Sequence, residues 1–312
     1  MKSNPIAEAI AAEVKVKLPE KRLNNLSPSA VLCFESTPIE FWFRYVYDGP
    51  KPPFTQFRPM AFGSAFDGRV KELLAARQPK QFAAQIAAKK FGLLTMVDKS
   101  FHGDMELKDV CEKLAQAYVN GPPGRYLKTD RPVIMEGSPA IIEIGGVPVY
   151  GKVDVQVQSG RTVDFKVSGS NSQAYPVVGY KSGWFFDIKK FKKGNDGTQL
   201  WEEIGPHKIQ RSLTETKPDW AFQLVTYDML RTGGACLNRK SPIAIDQVSF
   251  HPNGRIAFTH IEEDISCKFK RDVVKRYQAC WNAVAKGLVI PPAYRGLPLA
   301  QLDLLRSTKR PS

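Results

Sequence analysis

Residues 151–167 limit the fold more tightly than any other stretch of the chain. They read Gly-Lys-Val-Asp-Val-Gln-Val, then Gln-Ser-Gly, then Arg-Thr-Val-Asp-Phe-Lys-Val. Val153, Val155 and Val157 alternate with Asp154 and Gln156. Val163, Phe165 and Val167 alternate with Asp164 and Lys166, so both halves carry the period of a β-strand. A three-residue loop of Gln158, Ser159 and Gly160 is a common hairpin connection, with glycine in the left-handed third position. It pairs Val157 with Arg161, Val155 with Val163, and Asp154 with Asp164. A two-residue loop would shift the register and send the aspartates to opposite faces. The valine pattern favours the longer loop, which gathers the apolar side chains on one face and Asp154, Asp164 and Lys166 on the other.

Carboxylates directly opposite across two strands lie about 5 Å apart at Cβ and repel. A hard divalent cation removes that repulsion, and Mg2+, or Mn2+ in its stead, suits carboxylate oxygens. Lys166, two residues past Asp164 on the same face, is placed to hold an attacking water or to stabilise charge building on a phosphorane. An exposed polar hairpin face would produce the same short pattern, so its meaning depends on the rest of the chain.

Before the hairpin the chain reads as mostly helical. Ser27-Pro28 predicts a helix start, with Ser27 as cap and Pro28 in the first turn. The aromatic segment 41–47 reads as a core helix. Phe62, Phe66, Val70 and Leu73 fall near helical spacing in a helix over 58–78. Another covers 105–119 and stops before Gly121-Pro122-Pro123-Gly124. From Pro132 the chain turns β-rich, through 133–136, 140–144 and 147–150, with Gly145-Gly146 as a turn. Residues 168–217 read as less regular. A helix over 218–231 follows, then strands near 244–250 and 255–260, and a last helix over 264–286.

Gly151-x-x-Asp154 and Asp164-Phe165-Lys166 resemble two motifs of the PD-(D/E)XK nuclease superfamily, in its RecB-like and phage exonuclease branch. In that family a Gln-x-x-x-Tyr motif follows on a helix. Here Gln223-Leu224-Val225-Thr226-Tyr227 lies within the expected helix, and the four-residue spacing puts Gln223 and Tyr227 on one face. Ser27-Pro28-Ser29 and Pro38-Ile39-Glu40-Phe41 match the family's opening Ser-x-Ser and Pro-x-x-Phe, with Thr37 where a cysteine often stands. Many relatives carry a metal-binding histidine shortly after a glycine. In Gly63-Ser64-Ala65-Phe66-Asp67 that place holds Asp67, which either replaces the histidine as a ligand or is a solvated helix aspartate. Glu136, on the first strand, is a candidate accessory ligand, although a strand-edge charge is the simpler reading.

The resemblance implies an α/β, restriction-endonuclease-like fold: a mixed central sheet flanked by helices, with a helical N-terminal extension. It implies a flexible segment over 1–25, a nuclease domain over 26–290 (helical part 26–130, catalytic core 131–290) and a tail over 291–312. It further implies Mg2+-dependent hydrolysis of DNA. Asp154, Asp164 and the carbonyl of Phe165 would bind metal, with Asp67 as a further candidate. Lys166 would position water, and Gln223 and Tyr227 would support the site. An exonuclease in phage or bacterial recombination or repair is the first expectation. A structure-specific or restriction-like endonuclease, or a non-catalytic DNA-binding module, is the alternative, and one metal or two remains open.

Charge agrees with a polyanionic partner. Lys and Arg total 45 against 31 Asp and Glu, a formal net charge of +14, which draws a chain to nucleic acid without proving it. Lys181, Trp184, Phe185, Phe186, Lys189, Lys190, Phe191, Lys192 and Lys193 interleave aromatics with cations. Such a run suits stacking on unpaired bases while phosphates are neutralised. The expected partner is DNA, at linear ends or single-stranded regions, contacted mainly through its backbone. A homo-oligomer or a recombination partner protein is compatible with this. Some relatives hold an iron–sulfur cluster on four cysteines. Here Cys267 and Cys280 stand thirteen residues apart with no third cysteine after them, so no cluster is expected. The scattered cysteines suit a reducing compartment, no apolar run approaches the roughly 20 residues that span a bilayer, and a signal-peptide core is lacking. The expectation is a cytoplasmic protein without membrane contact.

Overall fold

The computed structural model describes residues 22–49, 58–88, 105–137, 141–169, 188–193, 199–204, 213–250, 256–286 and 289. The fold is α/β, with a mixed five-stranded sheet covered by helices on both faces and further helices on its N-terminal side, consistent with a restriction-endonuclease-like fold. No helix among the described residues is long and apolar enough to cross a membrane.

The N-terminal helices begin where local chemistry allows. Helix α1 (Pro28–Ser36) is capped by Ser27, whose Oγ accepts from Ala30 N at 3.2 Å, with proline in the first turn. Helix α2 (Pro38–Phe41) runs into a π-helical turn over Trp42–Val46, and Phe41, Trp42, Phe43, Val46 and Tyr47 are buried, as expected of core aromatics. Helices α3 (Arg58–Ala76), α4 (Ala83–Ala87) and α5 (Met105–Asn120) follow. The Gly121-Pro122-Pro123-Gly124 stretch ends α5 as expected but at once opens a further helix, α6 (Pro122–Thr129). Proline lacks the N–H that a first turn cannot use, so a break and a start share the same residues.

Strands β1 (Pro132–Gly137), β4 (Val153–Val157), β5 (Thr162–Gly169), β8 (Ser241–Phe250) and β9 (Ile256–Ile265) form the central sheet in the order β1-β4-β5-β8-β9. All neighbours are antiparallel except β5 and β8, which run parallel. Helix α7 (Leu213–Thr216) and helix α8 (Pro218–Arg231) lie within that parallel crossover. Strands β2 (Ile142–Ile144) and β3 (Val147–Val149) pair separately around Gly145-Gly146, both of positive φ. Helix α9 (Cys267–Ala285), capped by Ser266, closes the described fold.

The alternation in β8 shows how the sheet is filled. Ile243 and Ile245 join one core with α1, α8 and α9, while Ala244 and Val248 join another with α3 and α5. Both faces of β8 are covered, so apolar residues stand on both sides, as in a parallel-paired interior strand, with Ser241, Asp246 and Gln247 buried among them.

Residues 168–217 are more regular than their composition suggests. Strands β6 (Ile188–Lys193) and β7 (Gln199–Ile204) form their own antiparallel pair, with Lys189 opposite Glu203 and Lys190 opposite Glu202. The basic run Lys189, Lys190, Lys192, Lys193 is therefore a strand rather than an irregular loop. Lys181 and Trp184 lie outside the described residues, as do 1–21 and 291–312.

Candidate active site and metal centre

The hairpin turns as its residues demand. Val157 N donates to Arg161 O at 3.0 Å, Gly160 N donates to Val157 O at 2.9 Å, and Gly160 has a φ of 86°, which glycine adopts without strain. Val155 pairs with Val163 and Gln156 with Thr162. Continued by one residue, this register sets Asp154 against Asp164. The β4–β5 ladder ends at Val155 and Val163, one pair short of the two aspartates. On the other side, Met135 pairs with Val155 and Gly137 with Val153, which sets Glu136 against Asp154. Three adjacent strands thus each bring one carboxylate to a single row.

Glu136 is not the solvated edge charge that its position suggested. It is 7% exposed, and it has the one positive φ among described non-glycine residues, 54°. Such a conformation costs roughly 1–3 kcal/mol and persists where the surroundings hold it. What holds it is charge. Lys152 Nζ pairs with its Oε2, and Lys71 Nζ lies 2.5 Å from its Oε1.

Lys71, on α3, is fully buried. Its Nζ also donates to Asp67 Oδ2 at 2.6 Å and to Asp154 Oδ1 at 2.8 Å. Burial alone would depress this amine, but Asp67 and Asp154 outweigh it and hold its pKa above the ordinary lysine value. The carboxyl of Asp67 is pushed up to about 6, by burial first and then by Asp154 and Asp164, against the pull of Lys71. Asp67, whose side chain is partly exposed, sits one turn from Lys71 and is joined through it to Asp154 and Glu136.

Asp164 is 3% exposed. Burial pushes its carboxyl above the usual range, Lys166 opposes this, and Asp154 adds to it. Lys166 Nζ stands 2.5 Å from Asp164 Oδ2 in a charge contact without hydrogen-bond geometry, and that oxygen is buried without a hydrogen bond. Lys166 also lies 5.7 Å from the ring centroid of Trp220 on α8, close enough for a cation–π attraction that fixes where the ammonium sits.

Helix α8 carries Gln223 and Tyr227 to the same place. Gln223 Nε2 donates to Tyr227 Oη at 2.8 Å. The buried phenol has its pKa raised, by burial and next by Asp154, with Asp164 adding to it. Gly151 allows this approach: a Cβ there would stand 2.6 Å from Leu230 Cδ1 and 3.1 Å from Tyr227 Cε1. The Gly151-x-x-Asp154 spacing thus has a steric cause. A cleft of about 650 Å3 opens beside Gln223 and Tyr227, with Arg22, Arg44 and Lys152 in its lining. Phe165 turns its side chain away into the α3–α5 core, edge-on to Tyr118 at 5.2 Å.

Oxygen donors of the kind a hard divalent ion prefers gather here, with Lys71 Nζ already standing among those of Asp67, Glu136 and Asp154. Carboxylate oxygens of Asp67, Glu136 and Asp154 lie within 4.8 Å of one another, and Asp67 Oδ1 and Asp164 Oδ2 are buried without hydrogen bonds. Oxygen atoms in this state are what such an ion satisfies. Lys71 and Trp220 were not anticipated from sequence. The i, i+4 relation of Asp67 to Lys71 on one helix was a usable signal for the first. For Trp220 there was none.

No protein-family model matches the chain, and no curated protein matches it. Among solved structures, a candidate exonuclease from Eubacterium rectale is 12% identical, with all of this chain and 95% of that one covered and a TM-score of 0.48. The protein SSO0001 is 13% identical over 80% of this chain and 83% of its own, with a TM-score of 0.26. At these scores the chemistry of the site has to be taken from its own residues.

Proposed function

We propose that the chain is a Mg2+-dependent deoxyribonuclease with residues 26–290 as its nuclease domain, acting as an exonuclease in phage or bacterial recombination or repair. One feature supports this reading: Glu136, Asp154 and Asp164 fall on one row of adjacent strands when the β1–β4 and β4–β5 registers are continued, and Lys166, two residues past Asp164, lies beside it. Asp154 and Asp164, with the Phe165 carbonyl, would hold the metal. When bound, it would supply Lewis-acid polarisation of the phosphate and a lowered pKa for water.

The chain's own groups do the rest. Lys166, steadied by Trp220, lends positive charge where it builds on the phosphorane. Gln223 and Tyr227, hydrogen-bonded to each other on α8, line the cleft beside the carboxylates and would orient a substrate there. Arg22, Arg44 and Lys152 give the neighbouring cleft a cationic lining for a phosphate backbone.

The test is incubation of end-labelled linear duplex and covalently closed circular DNA with Mg2+, using the wild type and Lys166→Ala. Degradation of linear DNA alone, weakened by at least about 100-fold in the variant, is the expected result. Cutting of the circle would make the enzyme an endonuclease. No Mg2+-dependent loss of either substrate would overturn the reading.

A further inference from the structure

Lys71 has no part in the chemistry above, yet it is the best-paired cation at the site. Its side chain has no exposed surface, and its Nζ lies 2.5–2.8 Å from carboxylates on three separate elements, Asp67 on α3, Glu136 on β1 and Asp154 on β4. Glu136 takes a left-handed backbone conformation in the course of this. Convergence of acidic oxygens from distant chain segments is what a divalent ion ordinarily brings about. Here an ammonium is at its centre.

We propose that Lys71 is a fixed internal cation that takes the place of a second metal ion, so that the centre holds a single divalent ion on the Asp154–Asp164 side. The inference rests on the metal-dependent reading above and adds the metal count to it. A further ion would have to enter an oxygen set that already encloses Nζ, and like charges that close in a buried site repel strongly. Nor is the ammonium free to leave. It would strip buried Glu136 and the half-buried Asp67 and Asp154 of their shared partner, and breaking a buried pair on one side is strongly destabilising. Asp154 links the two positions: its Oδ1 serves Lys71, which leaves the other oxygen for a metal shared with Asp164.

Calorimetric titration with Mn2+ on the full chain counts the ions directly. The expected count is one per chain in the wild type and one more in Lys71→Met, which keeps an unbranched side chain one atom shorter and removes the charge. The metal-free melting temperature of Lys71→Met should fall by about 5–10 °C and recover with Mn2+ by more than the wild type gains. Equal counts in the two proteins, or two ions in the wild type, would overturn the inference. No ion in the wild type but one in Lys71→Met would uphold Lys71 as the surrogate cation while removing the metal-dependent reading. Should Lys71→Met not fold even with Mn2+, the wild type and Asp67→Asn decide. One ion in each supports the inference, and loss of an ion in Asp67→Asn overturns it.

Discussion

Asp164 is held in a state that folding alone disfavours. It is buried beside Asp154, and its raised carboxyl pKa means that, even with Lys166 at 2.5 Å, the charged form is less favoured than it would be in water. A neutral isostere relieves this. Asp164→Asn should therefore raise the metal-free melting temperature by about 1–3 °C, in keeping with relief of strain at a functional site. The same change should lower Mg2+-dependent cleavage by about 100-fold or more. Differential scanning calorimetry beside a cleavage assay checks both, and a metal-free variant less stable than the wild type would show that Asp164 is a structural ion-pair partner. The residues that alternation exposes, Asp154, Asp164 and Lys166, were legible because a strand sorts polar from apolar positions without further information. Lys71 was not. A lysine among Phe66, Val70 and Leu74 reads as a break in an apolar stripe, and only the acids brought by β1 and β4 from 65 and 83 residues away explain its burial. Glu136 was half-legible: its place on a strand was plain, but the left-handed φ that keeps it buried is a product of tertiary charge.

At the level of elements, loop chemistry and close approach fix the site. The Gln158-Ser159-Gly160 turn is local, and its consequence, the facing aspartates, could be read from the loop length. The meeting of β4 with α8 depends on Gly151, whose lack of a side chain matters only because Leu230 and Tyr227 arrive there. Gly151→Ala puts a methyl group 2.6 Å from Leu230 Cδ1. Overpacking of this kind costs about 1–3 kcal/mol. Because Tyr227 must shift with Leu230, cleavage should fall as well. Chemical denaturation and single-turnover cleavage measured on the same variant would show the two losses together, and a loss of stability with unchanged cleavage would remove Tyr227 from the site. Elements whose pattern is weak were the ones misread. Strand β6 carries lysines at four of its six positions, so no apolar period marks it, and its pairing with the Glu202- and Glu203-bearing β7 is visible only in the register. Helix α6 hid behind the two prolines that begin it.

Across the whole molecule, the sheet keeps its two buried polar systems apart. The acidic row occupies β1, β4 and β5, while β8 and β9 carry a second system toward α5 and α6. Asp246 on β8 is fully buried, accepts from Tyr118 of α5, and contacts His260 Nδ1 on β9. His260 Nε2 lies 2.8 Å from Glu262 Oε1, which in turn sits 3.2 Å from Arg161, and Tyr126 of α6 packs on the imidazole at 4.8 Å, its hydroxyl donating to Asp130. An imidazole with a carboxylate at each nitrogen is satisfied only as the doubly protonated cation. Burial alone would lower its pKa, but Asp246 and Glu262 outweigh burial and raise it. A raised folded-state pKa means that the contribution to stability is complete below the unfolded histidine value of about 6.5 and is lost as pH climbs through the folded value. The melting temperature of the wild type should accordingly decline above about pH 6.5 by more than that of His260→Gln, whose amide keeps a hydrogen bond to Asp246 without titrating. Thermal unfolding at half-unit steps between about pH 5.5 and 8.5 gives the comparison. The gap between the two proteins should be widest at the acid end and close as the imidazolium loses its proton. Parallel curves would mean that His260 does not gain a proton on folding.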